Sequence, residues 1–319
     1  MDSVPYIFCE DVLERLPRTN LCTIAKHLSG QWRSAAQRFI EKHRSLLVAI
    51  SKDSEGWWYG VEDENTWENI ENGPHSHEEF LSMDRKYVEI RKIVIYIDPG
   101  QFNARDFRCS KEEIARRVVP FLTLRMQPDS TLSFPEDCPK EIVLECLNMF
   151  RGCFSFGDLD LLHVGPESEE FLALQLKKNP LLCGLMLRRW PHTETTEQLV
   201  LTFLNSRKKR ALNMAQYSDI QSFLKVTIEF VTAAVDSWVS GSERRALFMY
   251  GPIDVTPEEI LSIPVPENVT KREEQGQREG DFCVRWSKED GSSLKCELRV
   301  AHDCAVIDSS ADWYHSPFY

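Results

Sequence analysis

The 319-residue chain has no apolar run approaching the ~18 residues needed to span a bilayer, so no membrane partner is expected. Its start, Met1-Asp2-Ser3-Val4-Pro5, lacks a basic segment leading into an apolar one and does not read as a secretory signal. An excess of Lys and Arg is missing too. Asp plus Glu total 50 against 38 Lys plus Arg, giving a net charge of −12, the wrong sign for a phosphate-binding footprint, and no nucleic-acid partner is expected. No C-x-x-C occurs among the ten cysteines, and Cys9, Cys22, Cys146 and Cys183 sit inside apolar runs. Reduced core thiols are the expectation. Cys283, Cys296 and Cys304 lack the close ligand pairs of structural zinc. The sequon Asn268-Val269-Thr270 has no secretory context, so an intracellular chain, cytoplasmic or nuclear and not secreted, is expected. There is no phosphate-cradling P-loop, no G-x-G-x-x-G, no H-E-x-x-H and no G-x-S-x-G. No cofactor, metal or catalytic residue is assigned. What is present is the composition of a soluble globular protein, 42% hydrophobic and 28% charged.

Between Phe8 and Ile40 the apolar positions fall into three helical groups. Phe8, Val12, Leu13 and Leu16 share one face before Pro17; Leu21, Ile24, Ala25 and Leu28 form a second stripe after Thr19-Asn20. Trp32, Ala35, Ala36, Phe39 and Ile40 form a third after Ser29-Gly30. Helices this short need each other or a partner, and a bundle of about 45 residues lies near the lower limit for an independent core. The elements Val4-Pro5, Phe8, Val12-Leu13, Leu16-Pro17, Asn20-Leu21, Ile24-Ala25, Leu28-Ser29 and Trp32-Arg33 resemble an F-box. In style the chain is similar to the divergent F-box-like families expanded in nematodes. Two departures stand out: the turn before Asn20-Leu21 is one residue longer than the family's, and Asn20 replaces the commoner Asp.

From Asp53 to Glu79 there are nine acidic residues and no Lys or Arg, together with Trp57, Trp58, Tyr59 and Trp67. Aromatics at this density point to packing rather than a free linker, as a satellite core or as part of a binding surface. His75-Ser76-His77 reads as a solvated loop. The expected organisation is a helical module over 1–48, an acidic, Trp-rich connector over 49–85, and an α/β part over 86–319.

That last part alternates helix and strand. Lys86–Asp98, with Ile93-Val94-Ile95-Tyr96-Ile97, reads as a buried strand. Leu159–Val164 and Leu182–Leu187 are further strands, and R-A-L-x-M recurs at Arg210 and Arg245. Pro166 opens a helix with acids in its first turn and Lys177-Lys178 in its last, matching the helix dipole. Ser110, Thr193, Ser218 and Thr256 are candidate caps. Lys271–Gly280 reads as an exposed loop, and the alternation at Phe282–Trp286 and Leu294–Val300 reads as a hairpin. The expected fold is α/β: a three-helix F-box-like module, then a divergent α/β repeat of leucine-rich-repeat-like character, or an open sheet, with a C-terminal β-hairpin.

The resemblance implies a non-catalytic substrate-receptor subunit of a cullin–RING ubiquitin ligase. A Skp-type adaptor would dock on Pro5, Phe8, Val12, Leu13, Leu16, Leu21, Ile24 and Leu28, and an unidentified target protein would be held by the α/β part. The residues themselves add a basic rim for the target at Arg207, Lys208, Lys209, Arg210, Arg244 and Arg245, each cluster just before a strand. Solvated loops serving helix ends are the bland alternative for those charges. For the whole chain the alternatives are a stand-alone α/β interaction protein and an enzyme with an unrecognised site.

Overall fold

The computed structural model describes residues 4–13, 23–63, 76–96, 105–206, 210–214, 224–241, 247–276, 278–299 and 303–309. The chain is mixed α/β, with ten α-helices and fourteen strands among those residues. It divides into two compact units, Met1–Ser130 and Thr131–Tyr319, so the division falls within the segment 86–319.

In the first unit, helices α1 (Tyr6–Leu13) and α2 (Gly30–Lys42) pack together, burying Cys9 and Leu13 against Ala35, Ala36 and Phe39. Small alanines at two α2 positions permit close approach of the two backbones. Residues 14–22, which include Leu21 of the expected second helix, lie outside the described residues. His43 caps α2, its N–H donating to the Phe39 carbonyl, and the chain enters β1 (Arg44–Asp53) directly. β1 is a continuous apolar run in Leu46–Ile50. It pairs antiparallel with β2 (Gly56–Asp63) and parallel with β3 (Val88–Ile95). β4 (Arg105–Arg108) extends the far side of β2.

The acidic connector therefore begins as sheet: residues 49–53 complete β1 and 56–63 form β2. The turn between them needs Gly56, whose φ of 121° lies in the region that favours glycine. Trp57, Trp58 and Tyr59 are buried along β2. Trp58 packs with Ala49 and Leu47. Tyr59 faces the other way, onto Phe107 at 5.1 Å and Phe80 at 5.5 Å, and Phe80 meets Phe121 at 4.6 Å. Phe80 comes from α3 (His77–Ser82), capped by Ser76. Phe121 comes from α5 (Val119–Thr123), which follows α4 (Lys111–Glu113) through a π-helical turn at Ile114–Val118. The aromatics thus form a satellite core.

The second unit is built on a different logic. Its strands run in the order β5 (Met126–Ser133, paired through Thr131–Ser133), β6 (Asp158–Leu162), β7 (Gly184–Arg188), β8 (Arg210–Asn213) and β10 (Leu247–Asp254), all parallel. They continue antiparallel through β14 (Cys304–Asp308), β13 (Ser293–Arg299), β12 (Phe282–Lys288) and β11 (Val269–Gln275). Helices α6 (Lys140–Met149), α7 (Pro166–Lys178), α8 (Glu194–Asn205) and α9 (Ile228–Ser240) alternate with the parallel strands, and each touches the next. One-step parallel connections of a single hand place such helices on one face of the sheet. The register supplies that face. Leu132, Leu159, Leu185, Leu212, Met249, Ile307, Cys296 and Val284 form one cross-strand row in which every side chain is fully buried. The opposite face carries Ser133, Asp160, Met186, Asn213, Tyr250 and Glu297.

Several expected elements shift. The R-A-L-x-M segments form adjacent parallel strands, but Ala211 pairs with Phe248 rather than Ala246. A displacement of two keeps every side chain on its own face, so the hydrophobic pattern tolerates it. The helix expected from Ser218 starts at Ile228, after the short strand β9 (Val226–Thr227), which pairs with Ile253 and Asp254; Ser218 itself lies outside the described residues. The first half of the expected loop at Lys271–Gly280 is instead the end of β11. Among the described residues this is an edge strand pairing only with β12, where charged side chains are tolerated and blunt edge-to-edge association. The Thr256 capping box forms at α10 (Pro257–Ser262), and the β12–β13 hairpin forms as expected.

Candidate functional site

Two surfaces gather side chains with no role in the cores: the outer side of α1, and the carboxyl ends of the parallel strands. On α1 the spacing Cys9–Leu13 supplies the inward stripe, which leaves Ile7 67% and Phe8 51% exposed. Only four large hydrophobic side chains are exposed among the described residues, and these two are consecutive. Pro5 is exposed, and its carbonyl accepts the N–H groups of Phe8 and Cys9, starting the helix. The Phe8 ring meets Trp32 edge-on at 6.3 Å. Val12, Ile24 and Leu28 are half-buried.

Leu13 is not available: it is 1% exposed within the α1–α2 core. Leu16 and Leu21 lie outside the described residues. Ile7, which the stripe pattern did not single out, is the most exposed apolar side chain on the helix. Its signal in the sequence is an isoleucine lying off the Cys9–Leu13 stripe.

α1 is held from behind by a buried carboxylate. Glu10 accepts from Tyr87 Oη at 3.1 Å and from Lys86 Nζ at 3.1 Å, with Arg38 Nε at 3.9 Å. Lys86 also reaches Asp11 at 3.2 Å. Burial works against the Lys86 ammonium, but Glu10 and Asp11 more than offset it and hold its pKa above the ordinary lysine value. Burial and then Glu10 push the Tyr87 phenol up.

At the strand ends of the second unit, Asp160 accepts from Ser133 Oγ at 2.8 Å and from Arg188 at 2.5 and 2.9 Å. Burial opposes the Arg188 charge, and Asp160 outweighs it, leaving the guanidinium pKa raised. Arg189, with φ 58°, approaches Glu136 at 3.8 Å. His163 Nε2 lies 3.2 Å from Glu169, and His192 Nε2 lies 2.5 Å from Glu197. Both glutamates occupy the fourth position of the following helix. The His163 ring also packs across Trp190, whose indole N–H donates to the Leu161 carbonyl at 3.0 Å.

The proposed basic rim cannot be placed in full. Arg207, Lys208, Lys209, Arg244 and Arg245 lie outside the described residues, as does the side chain of Arg210. What is described is the backbone: Arg210 opens β8 opposite Leu247 of the parallel neighbour β10, so the two segments begin at the same end of the sheet.

Metal-binding and nucleophilic chemistry find little purchase among the described residues. His77, Glu78 and Glu113 cluster closely enough to ligate an ion. However, Arg117 already binds Glu78 twice at 2.7 Å, and the Tyr59 hydroxyl lies 2.9 Å from His77 Nδ1. His77 is thus packed rather than solvated; His75 lies outside the described residues. The nine described cysteines are free thiols, and burial pushes Cys109 up to about 11 and Cys138 up to about 12, far from reactive thiolate behaviour. A cleft of about 260 Å³ between α6 and α7 is lined by Leu144, Leu147, Arg151, Glu170 and Phe171, with Arg151 and Glu170 3.7 Å apart. No helix among the described residues is long and apolar enough to cross a membrane. Comparison of the chain with protein-family models, with curated proteins and with solved structures finds no match.

Proposed function

We propose that the chain is a substrate-receptor subunit of a cullin–RING ubiquitin ligase. Its N-terminal helices would dock on a Skp-type adaptor, and its α/β part would hold a target protein. The supporting observation is the pair Ile7 and Phe8, exposed on a helix whose opposite side is fixed by Leu13 and Glu10. A rigidly backed helix presenting adjacent large apolar side chains suits insertion into a groove, because little ordering cost remains at binding. The adaptor contact is then Pro5, Ile7 and Phe8, flanked by Val12, Ile24 and Leu28, with Leu13 acting as internal support. The sequential parallel strands favour the divergent-repeat reading of the α/β part. The polar groups at their carboxyl ends, around Asp160, Arg188 and Arg189, are the surface for the target, since open α/β sheets bind ligands beyond that edge. The role is positional, raising the rate by proximity, with the chemistry performed elsewhere in the complex.

The test is capture of a Skp-type adaptor by the wild-type chain and by Ile7→Asp with Phe8→Asp. The two side chains together contribute about 3 kcal/mol or more by burial, so the double variant should bind at least about a hundredfold more weakly. Its far-UV circular dichroism should match the wild type because both sites are exposed. Absence of wild-type capture would leave the stand-alone interaction protein as the better reading. One observation already favours that reading: Leu13, an expected anchor, is used within the chain itself.

A further inference from the structure

Residues 1–43 carry five acidic and six basic residues, a net +1, so the remaining chain holds −13 of the total −12. These N-terminal residues are therefore weakly basic within a strongly acidic protein. Their described surface tilts further in that direction. Glu10 is buried, and both Glu10 and Asp11 are engaged by Lys86, which lies outside the module. Glu41 accepts from Gln37 at 2.9 Å. Lys26 and Arg33 are exposed and have no side-chain partner among the described residues. Arg33 directly follows Trp32, the residue whose ring meets Phe8.

From this arrangement we infer that the partner of the α1 face presents an apolar groove bordered by carboxylates, with Ile7 and Phe8 filling the groove and Lys26 and Arg33 facing the acidic border. The inference rests on the adaptor reading and specifies the partner's chemistry. A second copy of this chain fits less well, because copies meeting through this face would bring two basic borders together. Unpartnered rim cations of this kind act mainly on association rate and salt dependence, while the apolar pair supplies the residence time.

The experiment measures affinity and association rate of the full-length chain for a Skp-type adaptor between low and high salt. Three proteins are compared: wild type, Lys26→Glu with Arg33→Glu, and the charge-conserving Lys26→Arg with Arg33→Lys. Wild-type binding should weaken as salt rises. The charge-reversed variant should associate roughly tenfold more slowly at low salt and lose most of its salt dependence, while the charge-conserving variant should track the wild type. Wild-type binding that is lost with Phe8→Asp, yet indifferent to salt and to charge reversal, would overturn the acidic border and leave the docking reading intact. Failure of the wild type to bind the adaptor would overturn both. Self-association that is abolished by Phe8→Asp would put a second copy on this face and overturn the inference.

Discussion

Glu10 shows how a single buried side chain can set the geometry of an exposed one. It sits on α1 between the inward Cys9 and Leu13 and the outward Ile7, and three groups from outside α1 converge on its carboxylate. Glu10→Ala removes the acceptor and leaves Tyr87 Oη and Lys86 Nζ partly buried without it. The expected loss is about 1–3 kcal/mol, measured by urea unfolding of the full chain, and Glu10→Gln should recover part of it by retaining an acceptor for Tyr87. A different carboxylate reports pH. Arg108 donates to both oxygens of Asp53 at 2.6 and 2.7 Å, and this hydrogen bonding holds the Asp53 pKa below its ordinary value. A lowered folded-state pKa means that the stabilising contribution is present above the unfolded-state value, near about 3.9, and is lost as pH falls through the folded one. Arg108→Gln should therefore raise the Asp53 midpoint towards the ordinary value, as followed by carboxyl carbon NMR. An unchanged midpoint would show that the pair has no such influence.

Elements whose ends carry capping chemistry could be read directly from the sequence. The Thr256 capping box, the Thr193 cap and the Ser110 cap sit where local rules place them, because each satisfies its own helix end with a backbone N–H three residues away, and Pro166 opens α7 because its fixed φ and missing N–H suit a first helical position. Elements that depend on distant pairing were harder to read. β2 hides in an acidic stretch because its strand character comes from Trp57, Trp58 and Tyr59 finding cores on both sides. β11 reads as a loop because an edge strand needs few apolar residues. The docking helix shows the same division. Its apolar stripe is visible in the sequence, but Ala35, Ala36 and Phe39 on α2 decide which members face inward, and that turns Leu13 into the core and leaves Ile7 outside. Gly165 is an element boundary whose backbone can be tested. It precedes α7 with φ 148°, and an added Cβ would lie 2.9 Å from Glu167 Oε2. Gly165→Ala should cost about 1–3 kcal/mol, mostly in backbone strain, since the glutamate can move aside. Thermal denaturation measures it, and a loss no larger than that of a surface alanine substitution would contradict the assigned conformation.

On the scale of the whole molecule, the first unit is a helix pair beside a small mixed sheet, whereas the second extends one strand at a time. Composition gave warning of neither. The sequence showed helix–strand alternation and directed attention to charges preceding β8 and β10, at the amino ends of the strands, because clustered Arg and Lys are conspicuous. The described polar network lies towards the opposite ends, where Ser133, Asp160 and Arg188 come from three separate strands and meet only through the register. In a strand array each layer is stabilised chiefly by its immediate neighbours. Leu185 is fully buried in the apolar row, paired in register between Leu159 and Leu212. Leu185→Ala should cost about 2–5 kcal/mol through lost burial and the cavity left behind. If the second unit behaves as a linear array, hydrogen–deuterium exchange should accelerate most in β6, β7 and β8 and least in β12 and β13, four or more strands away. Equal acceleration across all of its strands would instead mean that the unit opens as one cooperative block, and the array description would have to be abandoned.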